Sequence, residues 1–459
     1  MSSIILTLSP AQVGALSTKQ IESLQPSDIN AISTAQAVDL TTAQIAVLST
    51  ADIVQLSTAA LALFNSAQLD AITTSDVAVL TAPQVSALTT TQAASLTGGQ
   101  VAALTSTQLA TLAAQLTPTQ LGALTTTQAT NLSTTVLASL STAQLQAIPT
   151  KDVATFVTAQ LGALGTAFTT GQVAALTTTQ APELSTTALG GFSAAQLQAI
   201  TTADVGLLST TQVGALSTTQ ATAFTTGQIA AMLYAQIATL GASVTTTQIG
   251  ALTTTQAASF TTTLLGSYST AQLQAISTKD VALLGTAQLG ALGTAFTTGQ
   301  IAALTTTQAP ELSTSALGGF SAAQLQAITT KDVPNLSTTQ IAALSTTQAT
   351  AFGTGQIGAM LYQQINTLGT SLTTTQIGAL VTGQVQALTT TLLAALSTAQ
   401  IQSISSKEIA VLTTAQVQAL PVPQLTTTQV AALTTTQVGE LTTTQMSLFS
   451  TAQIPYLNV

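Results

Sequence analysis

Chemistry in this chain would have to come from very few side chains. Fourteen carboxylates and five ammonium groups are the only charges among 459 residues; all five cations are Lys, and His, Cys and Trp are absent. Carboxylates can work in pairs as general acid and base, but a pair needs two acids close together, usually in an apolar pocket. Here they stand singly: Asp76, Asp152, Asp204, Asp280, Asp332 and Glu408 follow one another at intervals of 76, 52, 76, 52 and 76 residues. Four of them come directly after a Lys, giving Lys151–Asp152, Lys279–Asp280, Lys331–Asp332 and Lys407–Glu408. Such regularity suits a ladder of polar contacts between adjacent coils or neighbouring subunits, and these eight residues are the candidate contacts. A local reading competes with it. An acid is favourable near a helix N-terminus, and neighbours at i and i+1 on a helix do not face each other.

Other chemistries lack their parts. Zinc, haem and thiol chemistry need His or Cys. A calcium loop needs clustered oxygen ligands with Gly and Asp at loop spacing, and none is present. Gly98–Gly99 and Gly190–Gly191 lack the following Lys-Ser/Thr of a phosphate-binding loop. Five scattered Lys cannot form the basic stripe that nucleic acid requires. The expectation is no catalytic residue, no cofactor, no metal and no nucleic-acid partner. Mean hydropathy is high at +0.51, yet Thr, Ser or Gln interrupts every apolar run well short of the ~20 residues of a membrane-spanning helix. The start, Met1-Ser-Ser-Ile-Ile-Leu-Thr-Leu8, carries no basic region of a signal peptide.

The acids are positioned by a repeat of eight residues: large apolar, Thr/Ser, Thr, any, Gln/Asp, Val/Ile/Leu, small, Ala, as in Leu16-Ser-Thr-Lys-Gln-Ile-Glu-Ser23. All five Lys occupy its fourth position, the recurring acids its fifth, and all ten Phe its first. After a lead-in over 1–7, the register is broken only by insertions at 112–115, 164–167, 240–243, 292–295, 368–371 and 420–424. Their starts are separated by 52, 76, 52, 76 and 52 residues, which defines a super-repeat of 128: Met232-Leu-Tyr-Ala-Gln-Ile returns as Met360-Leu-Tyr-Gln-Gln-Ile. The reading is a single continuous repeat domain over 1–459, with the insertions as corners or changes of pitch.

One long helix does not suit this period, because eight residues advance the apolar stripe ~80° beyond two full turns. A β-solenoid is the alternative, but the unit has no period-two alternation and no turn residue at a fixed place. A short helix per unit fits the local chemistry. Ser/Thr followed three residues later by Gln/Asp is a capping box, and the apolar residues flanking it form a hydrophobic staple. Helices this short are unstable alone and must be stabilised by stacking. The predicted fold is therefore all-α, a solenoid of very short capped helices, with positions one, six and eight facing the core.

The overall composition resembles bacterial surface-layer and fibrous cell-surface proteins, which are often acidic, Cys-free, Thr/Ala-rich and exported without an N-terminal signal. The likeness covers the whole chain but lacks the Gly/Asp calcium repeats many of them carry. Leu8-Ser-Pro-Ala-Gln-Val13 also resembles the first helix of TAL-effector repeats in its capped start, with no DNA-reading loop after it. The surface-protein resemblance implies an extracellular or cell-surface structural protein, the alternative location being the cytoplasm. With so few charges to keep copies apart, and with terminal repeats that show little polar capping, the expectation is self-assembly into a filament, sheath or layer, with itself as partner. The alternative is a monomeric adhesin stalk or a module that binds glycan, ice or mineral. An enzyme is not expected.

Overall fold

The computed structural model describes residues 4–459. It is all-α: helices of four to seven residues follow one another along the chain, with short 3-10 turns among them and no strand among the described residues. The chain divides into two compact units, Met1–Leu240 and Gly241–Val459, each a solenoid-like stack of these helices. No helix among the described residues is long and apolar enough to cross a membrane.

Each helix starts where the repeat says it should. In Thr170–Ala174 the cap residue Thr169 is extended; its hydroxyl accepts from the Gln172 N–H at 3.1 Å, and Gln172 Oε1 accepts from the Thr169 N–H at 2.8 Å. The hydroxyl is dispensable for the second of these bonds. Where Val157, Leu361 or Val381 occupies the cap position, the Gln three residues on still accepts from its N–H at 2.7–3.0 Å. Where Pro182, Pro310 or Pro334 enters the seventh position, the α-helix is replaced by a 3-10 turn, Ala181–Glu183, Ala309–Glu311 or Val333–Asn335, because Pro has no N–H to continue the ladder.

The core is made of the first and sixth positions. All ten Phe are buried, and Phe168–Phe192 and Phe296–Phe320 meet edge to face at 5.8 and 6.0 Å, three units apart along the chain. The eighth position departs from expectation: Ala175 is only half-buried, whereas Gln172 at the fifth position is 1% exposed. So short a helix brings its third residue, and not its end, against the neighbouring turn. The third buried column is therefore polar.

The insertions lengthen a helix and then turn the chain. The helices that run into the first five have seven residues: Ser106–Leu112, Thr158–Leu164, Tyr234–Leu240, Thr286–Leu292 and Tyr362–Leu368; Thr414–Ala419, before the sixth, has six. Four of the five are followed by a Gly with φ between 54° and 58°, a conformation that side chains resist. At the first insertion Ala113 instead keeps helical angles and leads into the 3-10 turn Ala113–Gln115.

Candidate functional site

The fifth-position Gln is the polar device of this fold. Its carbonyl oxygen closes the capping box, and its amide nitrogen crosses to the preceding turn. Gln84 Nε2 donates to the carbonyls of Ile53 at 2.8 Å and Leu56 at 2.9 Å, 31 and 28 residues earlier. Gln100 does the same to Leu69 and Ile72, and Gln416 to Val385 and Leu388. The acceptors lie near the end of the earlier helix and on the linking residue after it; Ile53 also takes the Leu56 N–H at 3.3 Å, and the last carbonyls of a helix have no i+4 partner within it. A unit thus grips the one four places before it while its Phe ring meets the one three places before, so a turn holds between three and four units. Across a four-residue insertion the grip shortens to 27 and 24 residues, as from Gln120 to Ala93 and Leu96. Half a unit there replaces a whole one in the turn. Across 420–424 the grip is 28 and 25 residues, from Gln429 to Ile401 and Ile404.

The third unit after an insertion drops Gln in five cases of six, at Leu264 and at the four units considered next, Val136, Ala188, Ala316 and Leu392; after 420–424 it keeps Gln445. The change is not a matter of occupied carbonyls alone, since Ile53 accepts from the Leu56 N–H and still takes Gln84. At the same shortened offset these four side chains would face Leu109 and Leu112, Leu161 and Leu164, Leu289 and Leu292, and Ile365 and Leu368. One carbonyl of each pair already accepts a backbone N–H: Leu109 from Ala113, Leu164 from Ala167, Leu292 from Ala295 and Ile365 from Gly369.

The sequence-derived candidates occupy this same lattice. Lys151, Lys279, Lys331 and Lys407 are exposed, while Asp152, Asp280, Asp332 and Glu408 beside them are buried, so the two members of each couple point to opposite sides. Asp152 Oδ1 accepts from the Thr126 hydroxyl of the preceding turn at 2.7 Å, and Glu408 Oε1 from Thr382 at 3.1 Å. Asp280 accepts from its own cap hydroxyl, Ser277, at 2.7 Å, and Asp332 from Thr329. Each acid is the lone carboxylate of its unit, and among the described residues no cluster of three or more metal-ligating side chains occurs. Beside Asp332 an open groove of about 440 Å³ runs between Leu304–Thr306 and Thr329–Asp332.

The surface is a field of hydroxyls and methyls. In a unit such as Leu124–Asn131 the three residues Thr125, Thr126 and Thr127 are all exposed. Seven acids are buried: Asp52, Asp76, Asp152, Asp204, Asp280, Asp332 and Glu408. Seven acids are left towards solvent with the five Lys, an exterior close to neutral.

Sequence reasoning found the Gln as a cap but missed its second bond. The signal was present: Glu would serve the capping box as well, yet Gln fills the position almost everywhere, and only an amide can both accept and donate.

These features define a Thr/Ala-rich helical repeat protein, built of stacked short helices joined through buried glutamines. In agreement, the family model of the ALTTAQ repeat matches residues 22–58, 45–82, 198–233, 326–361 and 393–421, and these stretches are similar to that repeat. No curated protein and no solved structure matches the chain.

Proposed function

We propose that this protein is a structural, self-assembling element of a filament, sheath or layer at the cell surface or outside it. The observation that carries the reading is the neutral exterior. Half of the acids are buried, all five Lys are matched outside by a similar number of acids, and the rest of the surface is mostly Thr, Ser, Ala and Gly. Like charge is what chiefly keeps soluble proteins apart. Isolated apolar side chains also project from this surface, among them Val157 at 61% exposure and Leu233 at 63%. Purified protein imaged by electron microscopy across a dilution series should form ordered fibres or sheets. The order should be nearly indifferent to added salt, because there is little charge to screen.

A second reading, a monomeric stalk or surface-binding module, is favoured by the exposed Thr triplets, whose regular hydroxyls could meet glycan, ice or mineral. Isolated rods at every concentration, retained on such a surface, would establish that reading and remove the first.

A further inference from the structure

We propose that the acid-bearing units are yielding joints, turns in which the lock between neighbouring coils is left open. They recur at Asp76, Asp152 and Asp204 in one compact unit and at Asp280, Asp332 and Glu408 in the other. The inference concerns the fold itself and is independent of assembly.

A Gln unit holds three backbone groups with one side chain: the cap N–H through Oε1 and two carbonyls of the preceding turn through Nε2. A carboxylate has no N–H to give. At the offsets that Gln416 uses, 31 and 28 residues, Asp152 faces Leu121 and Leu124, Asp204 faces Val173 and Leu176, and Glu408 faces Ile377 and Leu380. Among the described residues no side-chain amide comes to these carbonyls.

The carboxylates are themselves half-served. One oxygen of each takes a hydroxyl: Asp152 from Thr126, Glu408 from Thr382, Asp204 from Thr201 at 2.5 Å. The other, Oδ2 of Asp152, Oε2 of Glu408 and Oδ1 of Asp204, is buried without a hydrogen-bond partner. Asp76 and Asp280 bond to their own cap hydroxyls at 2.5 and 2.7 Å. The adjacent Lys side chains are exposed and bring no compensating charge inward. An open groove beside Asp332 is lined by Leu304 on its other side. Among the described residues, the carbonyls of Leu121, Val173 and Ile377 keep only a backbone N–H, from Leu124, Leu176 and Leu380, and those of Leu124, Leu176 and Leu380 take no hydrogen bond. A buried unpaired oxygen facing under-served carbonyls weakens a turn, and local opening concentrates where such bonds are fewest.

Glu408 gives the cleanest test, because Glu408→Gln changes one oxygen to an amide without changing length. Hydrogen exchange on the full chain, read by mass spectrometry, should show peptides containing the Leu380 and Ile409 amides exchanging faster than those containing Leu388 and Val417, their equivalents around Gln416. Glu408→Gln should slow the first pair by about tenfold or more, the effect of two added amide–carbonyl bonds. Gln416→Glu should speed the second pair. Equal exchange around Glu408 and Gln416 in the unaltered protein would overturn the proposal. So would an unchanged rate in Glu408→Gln, whose folding does not depend on the companion variant.

Discussion

One side chain, the buried Gln, explains most of what this chain repeats. Its amide needs an acceptor and two donor hydrogens at once. Asn is a methylene shorter, and Glu can only accept. Gln300, 1% exposed, accepts from the Thr297 N–H at 2.8 Å and donates to Leu273 and Ile276, both at 2.9 Å. Gln300→Glu would keep the capping bond, lose both donations and set a charge against two carbonyl oxygens. A typical net hydrogen bond is worth about 1 kcal/mol and an orphaned buried group costs about 1–3 kcal/mol. The substitution should therefore lower stability by roughly 2–4 kcal/mol, measured by urea denaturation followed by circular dichroism. Gln198, exposed and with its side chain bonded only to the Ala223 carbonyl at 3.0 Å, should tolerate the same change with little loss.

At the scale of the element, the short helices are specified at their starts and the turns at their glycines. Gly293 closes Thr286–Leu292 at φ 55° and ψ −119°, with open space where a Cβ would stand. Gly290, inside the same helix, also has open space and an ordinary helical conformation. Gly293→Ala should therefore cost about 1–3 kcal/mol through backbone strain alone. Gly290→Ala should stabilise by about 0.5–1 kcal/mol. Thermal melts of the two variants should move in opposite directions.

The helix starts were legible in the sequence because a capping box is local: both partners lie within four residues, and the repeat displays them dozens of times. The grip between turns was not legible in the same way. Its acceptors are backbone carbonyls, which every residue possesses, so nothing in the types of Ile53 or Leu56 announces that Gln84 will reach them. The eighth position misled for a related reason. Its Ala is apolar and periodic, but it stands at or just past the last helical residue, and both Ala147, inside Thr142–Ala147, and Ala175, just after Thr170–Ala174, are only half-buried. The paired spelling of Lys151–Asp152 suggested a joint role, whereas the fold sends one side chain out and the other in.

Across the molecule, the formal charge is -9, and seven of the fourteen acids are buried, so a neighbouring copy touches a surface of seven acids and five Lys. Whatever the assembled form, the two compact units are built by one rule: apolar first and sixth positions fill the core, and a fifth-position amide binds turn to turn. An experimental density map that resolves side chains tests this most directly. It should place the Gln300 amide nitrogen about 3 Å from the carbonyl oxygens of both Leu273 and Ile276, with short helices stacked above and below. Extended rungs about 4.8 Å apart, or a Gln300 side chain turned out to solvent, would contradict the account.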